Sequence, residues 1–429
     1  MLNQEIMREA TRLTRAGQLV EATALLQRML RGDSAPAAAS AGPARSVPAR
    51  LSPPTIEGEA TRVSERDRPS AQAAPTQAQA TQAKPSQARS TQAKSTQAKS
   101  TQAKSTQAKP AQARKRPPRR EDLGELPGFS LRGPHLRAPS ARETTPEGAR
   151  FIQASFSNAA GRRAYKLLIP SRAEGGQLPL VVMLHGCTQS ADDFAAGTRM
   201  NFAGDEQSCF IVYPEQPSGA NQSKCWNWFR TGDQQRDGGE PSLIAGITRQ
   251  VMRDHAIDPG RVYVAGLSAG GAAAAIMAAT YPDLYAAVGV HSGLACGAAR
   301  DLPSALMAMR QGAGSGHMAD QRSVVPTIVF HGDRDSTVHP ANGDRIVAQS
   351  TTAMRGTSSV VRGRVPGGHA FTRTMLTEAS GKVTSEHWTI HGAAHAWSGG
   401  SPAGSYTDPK GPDATREMLR FFLAHSRGD

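Results

Sequence analysis

The chain has 429 residues, 50 Lys+Arg against 36 Asp+Glu, a formal net charge of +14, and only 5% aromatic residues. Up to Arg150 there are 25 Lys+Arg and 13 Asp+Glu, so +12 of that charge precedes residue 151 and the remaining 279 residues carry only +2. The length allows two or three domains, but no run of about 18 apolar residues occurs, which argues against a membrane-spanning helix.

Residues 4–30 set Ile6, Leu13, Leu19, Val20, Ala24, Leu25 and Met29 near a helical period broken at Ala16-Gly17-Gln18, which predicts a helical hairpin over residues 1–32. The turn Ala-Gly-Gln-Leu-Val-Glu-Ala resembles one tetratricopeptide unit, and a single unit cannot bury its own apolar face. The hairpin is therefore read either as a bare structural element or as a weak docking module. Charged residues interrupt every potential hydrophobic core of this terminus, so an ordinary secretory signal is not expected and export would need another route.

Residues 33–149 read as a disordered, low-complexity basic linker. Between Thr76 and Lys115 eight pentapeptides follow one another, TQAQA TQAKP SQARS TQAKS TQAKS TQAKS TQAKP AQARK. Such a segment has too little apolar surface to offset the entropy of ordering. Its charge would attract polyanions or an acidic surface without naming one. From Lys84 to Arg120 no aromatic residue interleaves the basic ones, so a stacking platform is missing and specific nucleic-acid recognition is not expected.

Residues 150–429 change to the pattern of an α/β catalytic domain. Short apolar runs predict strands at 164–169, 180–185, 209–213, 261–265, 286–291, 326–331 and 384–390, with helices at 192–206, 242–255, 269–280 and 413–425. Strands alternating with helices predict a mainly parallel central sheet covered on both faces, as in an α/β-hydrolase fold.

Within it, RVYVAGLSAGGAAAAIMAATYP reads as strand, tight turn and Ala-rich helix with Ser268 at the turn. G-x-S-x-G in that context is a nucleophile elbow, where small neighbours let the serine oxygen project; a Gly-rich helix entry that merely packs closely is the plain alternative. The helix N-terminus also directs backbone N–H groups at a developing oxyanion. A serine nucleophile needs a base oriented by a carboxylate, in the order acid then histidine in this architecture. PTIVFHG runs into Asp333 and Asp335 just past a strand end. Of His339, His369, His387, His391 and His395, His395 is favoured, because GAAHAWSGG is a loop of small residues after the last strand. His339 is too near the acids, and His387 and His391 belong to the strand. The oxyanion donors are expected from Ala269 and from Cys187 or Thr188 after LVVMLHG, with His185 bracing that loop. The four cysteines, Cys187, Cys209, Cys225 and Cys296, lack zinc-ligand spacing, and one disulfide is possible without a pairing evident from spacing. No metal and no cofactor are expected.

LHGCTQSADDFAAGTRMN, VYPEQ, CWNWF, GEPSLIAGIT, RVYVAGLSAGG, YPDLYAAVGVHSGLA, HGDRDSTVHPANG and GAAHAWSGG together resemble the poly(3-hydroxybutyrate) depolymerase family, relatives of feruloyl and acetylxylan esterases. The resemblance covers about residues 150–425. It implies Ser268, Asp335 (the second acid of the G-D-x-D turn) and His395 as a triad working through an acyl-enzyme on an ester, and Cys187–Cys225 as a disulfide beside the site. The substrate it implies is a hydroxyalkanoate polyester or its oligomers, with a feruloyl- or acetylxylan-type ester as alternative, and the location is extracellular, with cytoplasmic as the alternative. Trp226, Asn227 and Trp228 either line a groove for such a substrate or belong to the core. No polymer-binding module is recognised, which favours soluble oligomers or a smaller ester. The stretch 311–323 is expected to form a mobile rim. A tethering protein localised by its basic tail is the alternative from outside enzymes.

Overall fold

A computed structural model of the chain describes residues 57–61, 139–312, 325–352 and 354–428. The expected hairpin 1–32, the pentapeptide repeats and most of the 311–323 loop lie outside the described residues. Two stretches inside the expected linker do have structure: a strand β1 (Glu57–Thr61) and a short helix α1 (Ala141–Thr144).

The central strands form because their residues are apolar on both faces. β4 (Leu178–Leu184) is buried from Pro179 onward, and β5 (Phe210–Pro214), β7 (Ala287–His291) and β8 (Thr327–Gly332) are buried throughout. A strand buried on both sides needs a cover on each face. Leu180, Val182, Leu184, Val264 and Val290 face one apolar core, packed by Ile244 and Ile247 of α4 (Gly239–Asp254) and by α5 (Ala269–Thr280). Val181, Met183, Tyr263, Ala265 and Phe330 face the other. That core is packed by Phe194 of α2 (Ala191–Thr198), Met200 of α3 (Met200–Glu206), and Met418 and Phe422 of α8 (Ala414–Leu423). The predicted helix 192–206 is two helices, broken where Arg199 adopts a left-handed φ of 55°.

With β2 (Arg150–Asn158), β3 (Gly161–Ile169), β6 (Ile257–Leu267), β9 (Thr357–Arg364), β10 (Ala370–Thr377) and β11 (Val383–His391), the described strands give one sheet. Its order is β1-β9-β10-β11-β8-β7-β6-β4-β5-β3-β2. The stretch from β11 to β5 is parallel, and the flanks are antiparallel. Leu267 pairs with His291, His291 with Phe330, and Phe330 with Trp388, so four adjacent parallel strands end side by side. Crevices outside the carboxyl ends of such strands are where α/β proteins bind ligands. Among the described residues no helix is long and apolar enough to cross a membrane.

Candidate active site

Ser268 follows β6 directly and enters α5. Its backbone is at φ 58°, ψ −120°, a region L-residues rarely occupy, and its side chain makes no capping bond to the helix it begins. The surrounding glycines explain how the turn is reached. A Cβ at Gly270 would collide with the carbonyl oxygen of Leu184, and one at Gly266 with the backbone of Gly270. The Ser268 N–H donates to the carbonyl of His291 at 2.9 Å, which ties the elbow to the end of β7. Ala269, Gly270 and Gly271 open the helix, and first-turn N–H groups have no intrahelical acceptor.

Two strands away, the turn after β8 carries Asp335. Its Oδ1 accepts the N–H groups of Thr337 and Val338, both at 2.8 Å, and its Oδ2 stands 2.6 Å from His395 Nδ1 on the loop after β11. Burial of Asp335 raises its pKa, but hydrogen bonds from His331 and His395 more than offset that and hold the carboxyl well below the usual range. The neighbouring acid is used differently. Asp333 takes the Gly392 N–H at 2.7 Å and His391 Nδ1 at 2.9 Å, a half-exposed brace between two loops. The other histidines are engaged elsewhere: exposed His339 accepts the Ala341 N–H, and His369 Nε2 meets Asp408 Oδ2 at 2.8 Å.

The loop after β4 lies against the elbow, since a Cβ at Gly186 would stand 3.6 Å from Ser268 Cβ. Cys187 forms a disulfide with Cys225, and the Thr188 N–H donates to the Ser223 carbonyl at 2.7 Å. Thr188's amide is thereby committed, which leaves Cys187 as the available donor of the two considered. Gln189 Oε1 accepts the Gly186 N–H, and its amide nitrogen donates to Asp193 and Ser405. His185 Nδ1 lies 2.8 Å from the Gly186 carbonyl while Nε2 accepts the Gln216 N–H at 3.0 Å, which fixes the neutral Nδ1–H tautomer. Burial drives its pKa down to about 4, partly opposed by the Gly186 contact.

Of the two readings of Trp226, Asn227 and Trp228, a substrate groove or the core, their burial goes with the core. Trp226 is fully buried and its Nε1–H donates to the His185 carbonyl at 3.1 Å, so no ring face is open to a ligand. Asn227 is also buried, its N–H and Nδ2 both donating to Glu240, and Trp228 packs edge-on against Phe229 with 6% exposure. Burial pushes the Glu240 pKa up, and the Asn227 and Gln216 donors oppose the shift. Sequence reading missed Glu240, Gln189 and Gln216 because buried polar braces carry no spacing signature. Among the described residues no group of three His, Cys, Asp or Glu side chains is arranged to hold a metal ion.

A mainly parallel sheet covered by helices, with a strained serine between strand and helix at the sheet's carboxyl edge, defines an α/β-hydrolase. Within that class, residues 163–364 match the family described as Esterase PHB depolymerase. The chain is 36% identical over 228 residues to poly(3-hydroxyalkanoate) depolymerase C of Paucimonas lemoignei, covering 51% of this chain and 54% of that protein. It is 29% identical over 241 residues to poly(3-hydroxybutyrate) depolymerase of Ralstonia pickettii, covering 53% and 49% respectively. Against feruloyl esterase B of Neurospora crassa it is 34% identical over 117 residues, 27% of this chain and 39% of the other. The chain thus spans about half the length of the two depolymerases it matches.

Proposed function

We propose that this protein hydrolyses carboxylic esters through an acyl-enzyme on Ser268, with His395 as base and Asp335 as the carboxylate that orients it. The observation that carries the reading is the strained Ser268 elbow, with its side chain uncommitted to the helix cap, at the same sheet edge as the 2.6 Å Asp335–His395 pair. His395 Nδ1–H donates to Asp335, so Nε2 is the basic nitrogen that takes the Ser268 proton, returns it to the leaving alcohol, and then activates water. The Ala269 and Cys187 N–H groups hold the oxyanion; losing one such donor costs about 3 kcal/mol of barrier.

The substrate we favour is a 3-hydroxyalkanoate oligomer or polyester, in line with the names of the two depolymerase relatives. Relatives named as feruloyl and acetylxylan esterases support a second reading, a feruloyl- or acetylxylan-type ester. The Cys187–Cys225 disulfide beside the site favours an oxidising, extracellular setting. The basic N-terminal region would contribute contact with a polyanion or acidic surface rather than chemistry.

The experiment is to assay wild type and Ser268→Ala on short p-nitrophenyl esters, hydroxybutyrate oligomers, methyl ferulate and acetylated xylan. Turnover of the oligomers by wild type, abolished in a folded Ser268→Ala, is the expected result. Retained turnover in the variant would sink the nucleophile, and a preference for ferulate or acetylxylan would move the substrate to the second reading.

A further inference from the structure

His331, the penultimate residue of β8, is fully buried beneath the turn that carries Asp335. Its Nε2 lies 2.8 Å from the Val338 carbonyl and 3.5 Å from Asp335 Oδ2, the same carboxylate oxygen that meets His395. Carbonyl and carboxylate oxygens only accept, so this nitrogen carries the hydrogen and Nδ1 presents a lone pair. Nδ1 is buried with no hydrogen-bond partner among the described residues, and so is Nε2 of His387 on the adjacent strand β11. The two orphaned nitrogens converge: each stands 3.0 Å from the point where Gly343, in helix α7 (Ala341–Thr351), would carry a Cβ. His387 reaches outward through Nδ1, 3.6 Å from the exposed carboxylate of Asp344.

Buried polar nitrogens without partners are costly, and two that face one spot can relieve each other if one donates. The Val338 carbonyl already puts the His331 hydrogen on Nε2; the two rings are not bonded as they stand, and a small closure across the gap would let a hydrogen on His387 Nε2 reach His331 Nδ1 and hold that tautomer. We propose that His331 is a positioning residue for Asp335 and that His387, across the gap left by Gly343, secures its tautomer by closing on the free Nδ1. The carboxylate is then held on Oδ1 by two backbone N–H groups and on Oδ2 by two imidazoles. Gly343 is part of the device because its lack of a side chain lets the rings approach.

This inference rests on the esterase reading above, and its test separates the two. Gly343→Ala adds a better helix former at a helical backbone position while pressing a methyl group on both rings. In the full chain we expect kcat on a p-nitrophenyl ester to fall about tenfold, the equivalent of one net hydrogen bond, with KM unchanged and a modest fall in Tm. His387→Leu should fall equally, and His387→Gln, whose amide can donate to His331, should recover most of the loss. The low-field proton resonance of His395 Nδ1–H against Asp335 should shift in Gly343→Ala and His387→Leu and return in His387→Gln. Wild-type kcat and an unmoved resonance in the first two variants would overturn the proposal, and if Tm alone fell the pair would be purely structural. If wild type hydrolyses no ester the esterase reading fails, while the resonance still decides whether the pair positions Asp335.

Discussion

Asp335 and His395 lie sixty residues apart in sequence and 2.6 Å apart in space, carried by the turns after two hydrogen-bonded parallel strands. Asp335→Asn should keep the two backbone bonds to Thr337 and Val338, because an amide oxygen accepts as a carboxylate does. Its amide nitrogen would then face His395 Nδ1, forcing that nitrogen to accept and putting the ring hydrogen on Nε2, where no proton can be taken from Ser268. The expected result is a loss of about 10^4 in kcat with the fold intact. Asp333→Asn is the control: Asp333 braces His391 and Gly392, so its loss should leave kcat within a few-fold. Steady-state kinetics of both variants checks the assignment, and the reverse order of effects would transfer the acid to Asp333.

The disulfide and the Thr188–Ser223 bond tie the loop after β4 to the segment around Trp226 at adjacent residues. Cys187→Ser with Cys225→Ser opens a loop closed over a sequence separation of 38, for which chain entropy gives a stability loss of about 4 kcal/mol. In the proposed mechanism the tie holds the Cys187 N–H rather than any ligand contact, so kcat should fall more than KM rises. Denaturant melts and kinetics with and without reductant measure both. Unchanged stability and unchanged kcat on reduction would remove the tie from the account of the site.

Trp226→Phe tests whether this ring supports the loop or meets the substrate. Burial with the indole N–H on the His185 carbonyl predicts a stability loss of about 1–3 kcal/mol from the orphaned carbonyl and lost volume. KM for oligomers of different length should stay constant, whereas a substrate-facing ring would give a KM effect that grows with chain length.

The elbow at Ser268 was legible because its signal is local: a strand, small residues and a helix adjacent in sequence. The central strands were legible for a similar reason, since burial on both faces leaves a continuous apolar run. β2, β9 and β10 were not, because as flanking strands they are partly exposed and rich in Arg, Ser and Thr. α6 (Leu302–Gln311) escaped too, although Asp301 and Ser304 form a capping box at its start. Trp226 stayed open between two readings for a physical reason: a large amphipathic ring suits a groove and a core equally, and only its burial and the partner of its N–H tell them apart. The same limit hides His331 and His387, whose free ring nitrogens both face a glycine of a third element.

His185 makes the loop after β4 sensitive to acid. In the folded protein burial lowers its pKa to about 4, below the ordinary value of 6.5. The unfolded chain therefore binds the proton more readily between those values, so stability rises with pH across this window and is lost as pH falls from about 6.5 toward 4. A shift of this size corresponds to about 3 kcal/mol for a group fully out of solvent. Buried His291 and partly buried His425 are shifted in the same direction by burial, so one substitution removes only part of the slope. In His185→Gln the amide oxygen can still accept the Gln216 N–H while no longer titrating. Chemical denaturation at intervals from pH 4 to 8 should show a shallower fall for the variant than for wild type. Parallel slopes would mean that His185 is already free to protonate in the fold.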